Sequence, residues 1–326
     1  LTGSAVRMND FFRWPLLRLA EDFLRQFQFR NTEEEMDFGL QRVALPEYSE
    51  IAFREALANT FIHRDYSRRG AVHVQWHDED LEISSPGGFP EGVRLDNILV
   101  TPPHPRNPVL ADAFKRARLV ERTGRGINRM FEQQLRFGRS APEYGRTTET
   151  AVVAVLPGEP ANLAVTRFVL EQDRADQSLK LPDLQLLNEL TREREVSTSE
   201  AAGLIQMSED QAKRVLRRMT ERGWIEARGA TQNRVYHLSG TVYRQLGDSA
   251  GYVRLKGFEP IRQEQMVLQL LQANDEVSSS DVAQLCQLNP WQARTLLTRL
   301  IKEGKVTRHG EGRWTRYRLA PRPHSR

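Results

Sequence analysis

Residues 54–67 read REALANTFIHRDYS and place Glu55, Asn59 and His63 four positions apart. Side chains at i and i+4 stand one above the other on a helix. The three polar groups therefore share one stripe, with Ala56, Leu57, Phe61 and Ile62 supplying apolar surface around it. A carboxylate and a carboxamide stacked in this way can hold a hydrated divalent cation and a water beside a phosphate chain. The alternative is a helix whose polar stripe faces solvent. What lies downstream bears on the choice.

The chain has 326 residues, enough for two or three domains. No apolar run approaches the length needed to span a bilayer, so no membrane partner is expected. The chain begins at Leu1 without the basic-then-apolar order of a secretory signal, which fits a cytoplasmic protein and a fragment of a longer one. Its single cysteine, Cys286, follows Val282, Ala283 and Leu285 in a helical pattern and reads as a small core residue. One cysteine excludes an internal disulfide framework and a cysteine-ligated zinc cluster. Residues 1–160 carry 21 Lys+Arg against 23 Asp+Glu, and residues 161–326 carry 26 against 20. The basic excess puts any polyanion-binding surface in the C-terminal half.

An amphipathic helix is expected over 11–29, and the acidic run Glu33–Glu35 reads as a solvated turn. RVALPE (42–47) suggests a short strand, followed by the helix near 49–63. AVHVQW (71–76) and LEISS (81–85) alternate as strands, and Pro86-Gly87-Gly88 breaks the chain. TPPHPRNP (101–108) is a proline-rich loop, and Pro108 is placed to open the next helix. A second break, Thr123-Gly124-Arg125-Gly126, precedes the helix INRMFEQQLRFG, and TAVVAVLP (150–157) is a strand. PGEPAN (157–162) reads as a boundary. Beyond it one plan occurs twice: short helices, a turn, a longer helix and a ribbon, over roughly 178–247 and 258–320.

Glycines at 87–88 and at 124 and 126 let backbone amides approach an anion, and a helix starting near Ile127 adds the positive end of its dipole. No GxxxxGK[ST] motif occurs and no lysine lies near these glycines in sequence. His63, Arg64 and Asp65 either form a helix-end network, with Asp65 paired to an arginine, or contribute a phosphate contact. Arg106 and Asn107 either cap the next helix or contact a ligand from a lid.

REALANTFIHRDYS, LEISSPGGFPEGV and HPRNPVLADAFKRARLVERTGRGINRM, in that order, closely resemble the divergent ATPase domain of bacterial transcriptional regulators. These are often called RecG-related or helicase-like, and the domain usually follows a Schlafen AlbA-type domain. The domain belongs to the GHKL superfamily of gyrase, histidine kinases and MutL. The resemblance covers roughly residues 40–157 and implies ATP or a related nucleotide with Mg²⁺ as cofactor. It implies Asn59 as the Mg²⁺ ligand and Glu55 as the carboxylate that activates water if ATP is hydrolysed. It further implies Gly87 and Gly88 near the adenine, and Thr123, Gly124 and Gly126 around the phosphates. Where the superfamily reads adenine with an aspartate, Ser84 or Ser85 stands here, a less selective partner; any ATPase activity is expected to be weak or absent.

The two C-terminal units resemble winged helix-turn-helix domains, whose second helix enters the major groove while the ribbon touches phosphates. The basic residues expected on duplex DNA are Lys213, Arg214, Arg217 and Arg218 in the first unit and Arg294, Arg299, Lys302, Arg313 and Arg316 in the second. Val215, Leu216 and Met219 are expected to face the core. Winged-helix repressors commonly pair, so a homodimer joins duplex DNA among the expected partners.

The fold expected is therefore α+β: a helical segment over 1–40, a GHKL-like α/β sandwich over 41–158, and winged helices at 178–247 and 258–320. The function expected is a DNA-binding transcriptional regulator that senses a nucleotide. Its rivals are a DNA-stimulated ATPase in DNA remodelling or phage defence and a nucleotide-free scaffold for protein contacts.

Overall fold

The computed structural model describes residues 9–120, 125–229, 234–247, 260–286, 288, 290–310 and 315–320. The chain divides into two compact units, 1–247 and 248–326.

The first unit begins with α1 (Leu16–Arg30), β1 (Glu33–Phe38), β2 (Gln41–Pro46) and α2 (Glu50–His63). Ser49 starts α2 by accepting a hydrogen bond from the Ala52 N–H at 3.3 Å, and Glu50 complements the dipole in the first turn. Apolar residues occupy most sides of α2, which is what a core helix requires. Phe53, Ala56, Leu57, Phe61 and Ile62 are all buried, and so is Glu55. Phe27 of α1 stacks on Phe53 with ring centroids 4.2 Å apart, so the N-terminal helix belongs to this core.

The acidic run Glu33–Glu35 is not the expected turn. It is the exposed part of β1, where Met36 and Phe38 are buried and every residue pairs with β2. The reversal is made at Gly39, whose φ of 64° is the left-handed conformation that glycine tolerates. This hairpin joins residues on both sides of position 40.

β3 (His73–Trp76), β4 (Asp80–Pro86) and β5 (Ala151–Pro157) form an antiparallel sheet with β4 in the centre. Alternation along β4 buries Leu81, Ile83 and Ser85 on one face. The other face is polar, and Arg146 bridges Asp80 and Glu82 at 2.9 and 2.8 Å. α2 packs on β4 and β5, and α4 (Gly126–Arg136) packs along α2. α3 (Pro108–Arg116) has Pro108 in its first turn, as expected, and sets Phe114 edge-on to Phe61.

Two helices had no clear signal in sequence. α5 (Leu163–Arg174) is capped by the Asn162 side chain, which accepts from the Val165 N–H, and α9 (Gly240–Gln245) packs against it. The PGEPAN segment between β5 and α5 is tied down: Gly158 N donates to Glu79 O and Asn162 N to Gly138 O, both at 2.8 Å.

Between α5 and α9 come α6 (Leu181–Arg192), β6 (Glu195–Ser197), α7 (Thr198–Leu204), α8 (Glu209–Glu221), β7 (Ile225–Arg228) and β8 (Val235–Leu238). The three strands form a sheet in the order β6-β8-β7. Reciprocal caps, Ser197 with Glu200 and Ser208 with Gln211, open α7 and α8. Val215, Leu216 and Met219 of α8 are buried as expected.

The second unit repeats this order in α10 (Pro260–Ala273), α11 (Ser279–Leu285), α12 (Pro290–Lys302), β9 (Val306–His309) and β10 (Arg316–Leu319). A single bridge from Val277 to Tyr317 takes the place of β6. Val267, Leu271, Val282, Ala293 and Leu297 form its core, and Cys286 is buried among them. Burial also raises the pKa of the Cys286 thiol. The chain is thus a mixed α+β fold in which helices accompany small antiparallel sheets, consistent with a GHKL-like α/β domain in the first unit.

Candidate functional site

A cavity of about 180 Å³ lies against α2, the β4–β5 sheet, the loop 89–105 and the start of α4. Glu55, Asn59 and His63 all line it, so the polar stripe of α2 faces a cavity rather than bulk solvent. Gly126 lies opposite Glu55. A Cβ on Gly126 would overlap the Glu55 carboxylate and come within 3.6 Å of the Asn59 amide nitrogen. Glycine is therefore what lets α4 begin directly against the stripe. Arg129, one turn into α4, approaches the Glu55 carboxylate at 3.8 Å.

The Asn59 amide nitrogen rests 3.9 Å from the Met130 sulfur, and its oxygen has no protein partner among the described residues. One carboxylate and one amide are too few for a cation held by protein alone. They fit Mg²⁺, which keeps several waters and takes further oxygens from phosphates. Among the described residues, no group of three or more His, Cys, Asp or Glu is placed to hold a metal.

Ser84 and Ser85, equivalent in sequence, separate in structure. Ser85 is buried and lines the cavity, whereas Ser84 is on the opposite face of β4. Gly87 and Gly88 are also away from the lining. Gly87 has φ 100°, and a Cβ there would collide with Arg106 and Asp65; one on Gly88 would meet the Glu149 carbonyl oxygen at 2.8 Å. A strap crosses this segment: Arg106 donates to the carbonyls of His63 at 3.1 Å and Gly88 at 3.0 Å, while the Gly87 N–H donates to the Thr150 carbonyl at 2.8 Å. Asn107 donates to the carbonyls of Ile62 and Arg64, both at 2.8 Å, and makes no side-chain cap on α3. Arg106 and Asn107 thus fasten the proline-rich loop to the end of α2. Thr123 and Gly124 lie outside the described residues.

Asp65 forms the helix-end network. It accepts from the Ser67 hydroxyl at 2.6 Å and its N–H at 3.0 Å, which lowers its pKa, and pairs with Arg68 at 3.2 Å. His63 is held neutral instead. Burial, then Arg106 and His104, lower its pKa to about 4. Its Nδ1 is buried without a hydrogen-bond partner among the described residues. A neutral imidazole offers a ligand a donor or an acceptor, not a charge. Tyr144, also on the cavity wall, is buried, which raises the pKa of its phenol.

Sequence spacing hid one cation. Lys115 of α3 lines the cavity with Glu55 and Gly126, so a lysine does lie near the second glycine break in space. Only its place in the last turn of a helix flanked by both motifs hinted at this.

The basic residues of the two repeats fall into different classes. In α8, Lys213 pairs with Asp210 at 3.2 Å and Arg217 with Glu221 at 3.9 Å, both at the surface, while Arg214 is exposed. Arg218 is tied to the fully buried Asp183. Arg299 of α12 lies 3.7 Å from both Glu264 and Glu303. Arg218 and Arg299 each tie the long helix to the first helix of its repeat, with side chains that remain 33% and 40% exposed. Arg294 and Lys302 are exposed, Arg316 is half-buried on β10, and Arg313 lies outside the described residues.

Residues 70–156 match the family model described as "Putative ATP-dependent DNA helicase recG C-terminal". The match includes β3 to β5 and Gly126 but begins after Glu55 and Asn59. No curated protein matches the chain. Among solved structures, the DIP2311 protein from Corynebacterium diphtheriae is similar in fold, with a TM-score of 0.59 and 24% identity over 71% of this chain. The matched part spans 47% of that protein's chain, so this chain covers about half its length. The similarities support a distant GHKL-like domain reminiscent of the RecG C-terminal region. Among the described residues, no helix is long and apolar enough to cross a membrane.

Proposed function

We propose that the first unit binds Mg²⁺–ATP in the cavity beside α2 and hydrolyses it slowly, and that duplex DNA bound by the second unit regulates this activity. The observation that carries the reading is the meeting of Glu55, Asn59 and Gly126 at one wall of one cavity. Asn59 would take a place in the Mg²⁺ shell, and the α4 N-terminus would face the phosphates. Bound Mg²⁺ supplies charge neutralisation on the phosphates. In hydrolysis, water attacks the γ-phosphorus, the bond to the bridging oxygen breaks, and ADP leaves with the electron pair. The Glu55 carboxylate takes the proton of the attacking water. Arg129 stands 3.8 Å from that carboxylate, on the side of α4 that faces it. Ser85, with no aspartate in its place, leaves adenine selectivity low.

The test is phosphate release together with thermal unfolding. At about 100 times Kd, a ligand adds about 2.7 kcal/mol of stability, a readable shift in midpoint. Glu55→Gln should abolish release and keep the Mg²⁺–ATP shift, while Asn59→Ala should remove the shift. Release that persists in Glu55→Gln would overturn its role, and an unchanged shift in Asn59→Ala would overturn the site.

A second reading, a nucleotide-sensing regulator, is favoured by one contact. Gln206, at the turn between α7 and α8, accepts from the Leu99 N–H and donates to the Leu95 carbonyl, each at 2.8 Å. Ile98 and Thr101 on the same loop line the cavity. A ligand that reorders this loop would act on the first repeat through Gln206, a population shift with a defined contact.

A further inference from the structure

Beyond Glu55 the cavity adjoins a recess lined by cations from separate elements. Arg54 comes from α2, Lys115 and Arg116 from the end of α3, Arg118 from the loop after it, and Arg129 from α4. Glu55 is the only carboxylate among its described lining residues, and Glu55 and Lys115 line both spaces. Lys115 and Arg116 alone would be explained by the negative end of the α3 dipole. Arg54 and Arg129 would not, because they come from the first half of α2 and the first turns of α4. Arg116 is engaged by Asp112 at 2.8 Å and Arg129 approaches Glu55. Arg54 donates to the Arg118 carbonyl at 3.3 Å, fixing a loop in which Arg118 has φ 59°, a conformation unusual for a residue with a side chain. The backbone is thus held where Arg118 joins the rim. Like charges gathered at one concave opening repel one another, and an anion between them relieves that repulsion. Planar arginine forks and a lysine ammonium are the groups that match phosphate oxygens.

We propose that this recess is a phosphate subsite continuous with the cavity, centred on Arg54, Lys115 and Arg118. Its anion is either the terminal phosphate of the bound nucleotide or the inorganic phosphate released from it. The subsite rests on the proposed nucleotide reading only for the identity of that neighbour.

The test uses the full chain at constant ionic strength, titrated calorimetrically with inorganic phosphate, tripolyphosphate, adenosine and Mg²⁺–ATP. Arg54→Ala/Arg118→Ala should weaken tripolyphosphate at least tenfold and leave adenosine unchanged. Arg54→Lys/Arg118→Lys, which keeps the charge, should recover most of the loss and guards against misfolding, as does an unchanged unfolding midpoint without ligand. A tenfold loss for Mg²⁺–ATP places its terminal phosphate in the recess. A loss for inorganic phosphate with Mg²⁺–ATP unaffected makes it the site of the released product. Equal binding of tripolyphosphate and phosphate by the wild type and the alanine variant, or no binding of either to the wild type, overturns the subsite. If adenosine and Mg²⁺–ATP fail to bind while tripolyphosphate still depends on Arg54 and Arg118, the nucleotide reading fails and the subsite stands.

Discussion

Residues 181–238 and 260–319 share one element order but use their charges differently. The same position in the two long helices makes the contrast concrete. Arg218 is the tenth residue of α8 and Arg299 the tenth of α12, and each reaches an acid on the first helix of its repeat. Asp183, the partner of Arg218, is fully buried, while the Glu264 side chain is 21% exposed. The first repeat has turned this tie into a core interaction and belongs to the unit that holds the cavity. The second keeps it near water. The exposed charges differ too. α8 opens with Glu209 and Asp210 ahead of Lys213, whereas α12 opens with Trp291, 74% exposed, and has no acid before Arg294. The shared element order therefore does not carry a shared arrangement of paired cations.

The largest effect should follow from breaking the buried tie. Asp183→Ala leaves Arg218 without its partner and the Lys180 N–H without its acceptor, and should cost about 3 kcal/mol. Glu264→Ala should cost under about 1 kcal/mol. Urea unfolding monitored separately for each unit checks both, and equal losses would erase the contrast.

Acid should sharpen it further, because His63 lies in the first unit. Its folded pKa of about 4 is below the unfolded 6.5, so the unfolded state binds more protons between those values. Stability is complete above about pH 6.5 and falls towards pH 4, by about 3 kcal/mol relative to His63→Asn. A wild type and variant that lose stability in parallel over that window would refute the burial argument.

DNA affinity should divide the repeats next. Replacing Arg294, Lys302 and Arg316 by alanine should weaken duplex binding about tenfold or more and reduce the salt slope by up to about 3. Replacing Lys213 and Arg217, which already have carboxylate partners, should change affinity less than threefold. The reverse ranking would make α8 the DNA face.

The smallest effect belongs to Gln206→Ala. Losing its two hydrogen bonds should cost about 1 kcal/mol, with little change in the DNA affinity of the free protein. Any effect of Mg²⁺–ATP on DNA binding should shrink, and a full nucleotide response in this variant would remove Gln206 from the coupling.

Much of the architecture could be read from patterning. The α2 stripe, the alternation of β4, the start of α3 at Pro108 and both long repeat helices lie where periodicity and caps put them. α5 and α9 were missed because their apolar faces are short and gain meaning only against each other and Trp224, whose indole N–H donates to Gln172. Glu33–Glu35 misled because three acids look like a turn, whereas strand pairing and the burial of Met36 and Phe38 decide their conformation.

What the sequence determined by itself is local: i and i+4 spacing aligned Glu55, Asn59 and His63, and glycine at 126 allowed a close approach. Tertiary structure decided which faces meet. It chose Ser85 over Ser84, used Gly87 and Gly88 for the Arg106 strap, brought Lys115 to the cavity and paired Arg218 and Arg299 with acids on the first helix of each repeat. The reason is physical. Helical and strand periods are set by backbone geometry within a few residues. The partner of a charged or polar group is set by packing between elements far apart in the chain, where burial makes an unpaired charge costly.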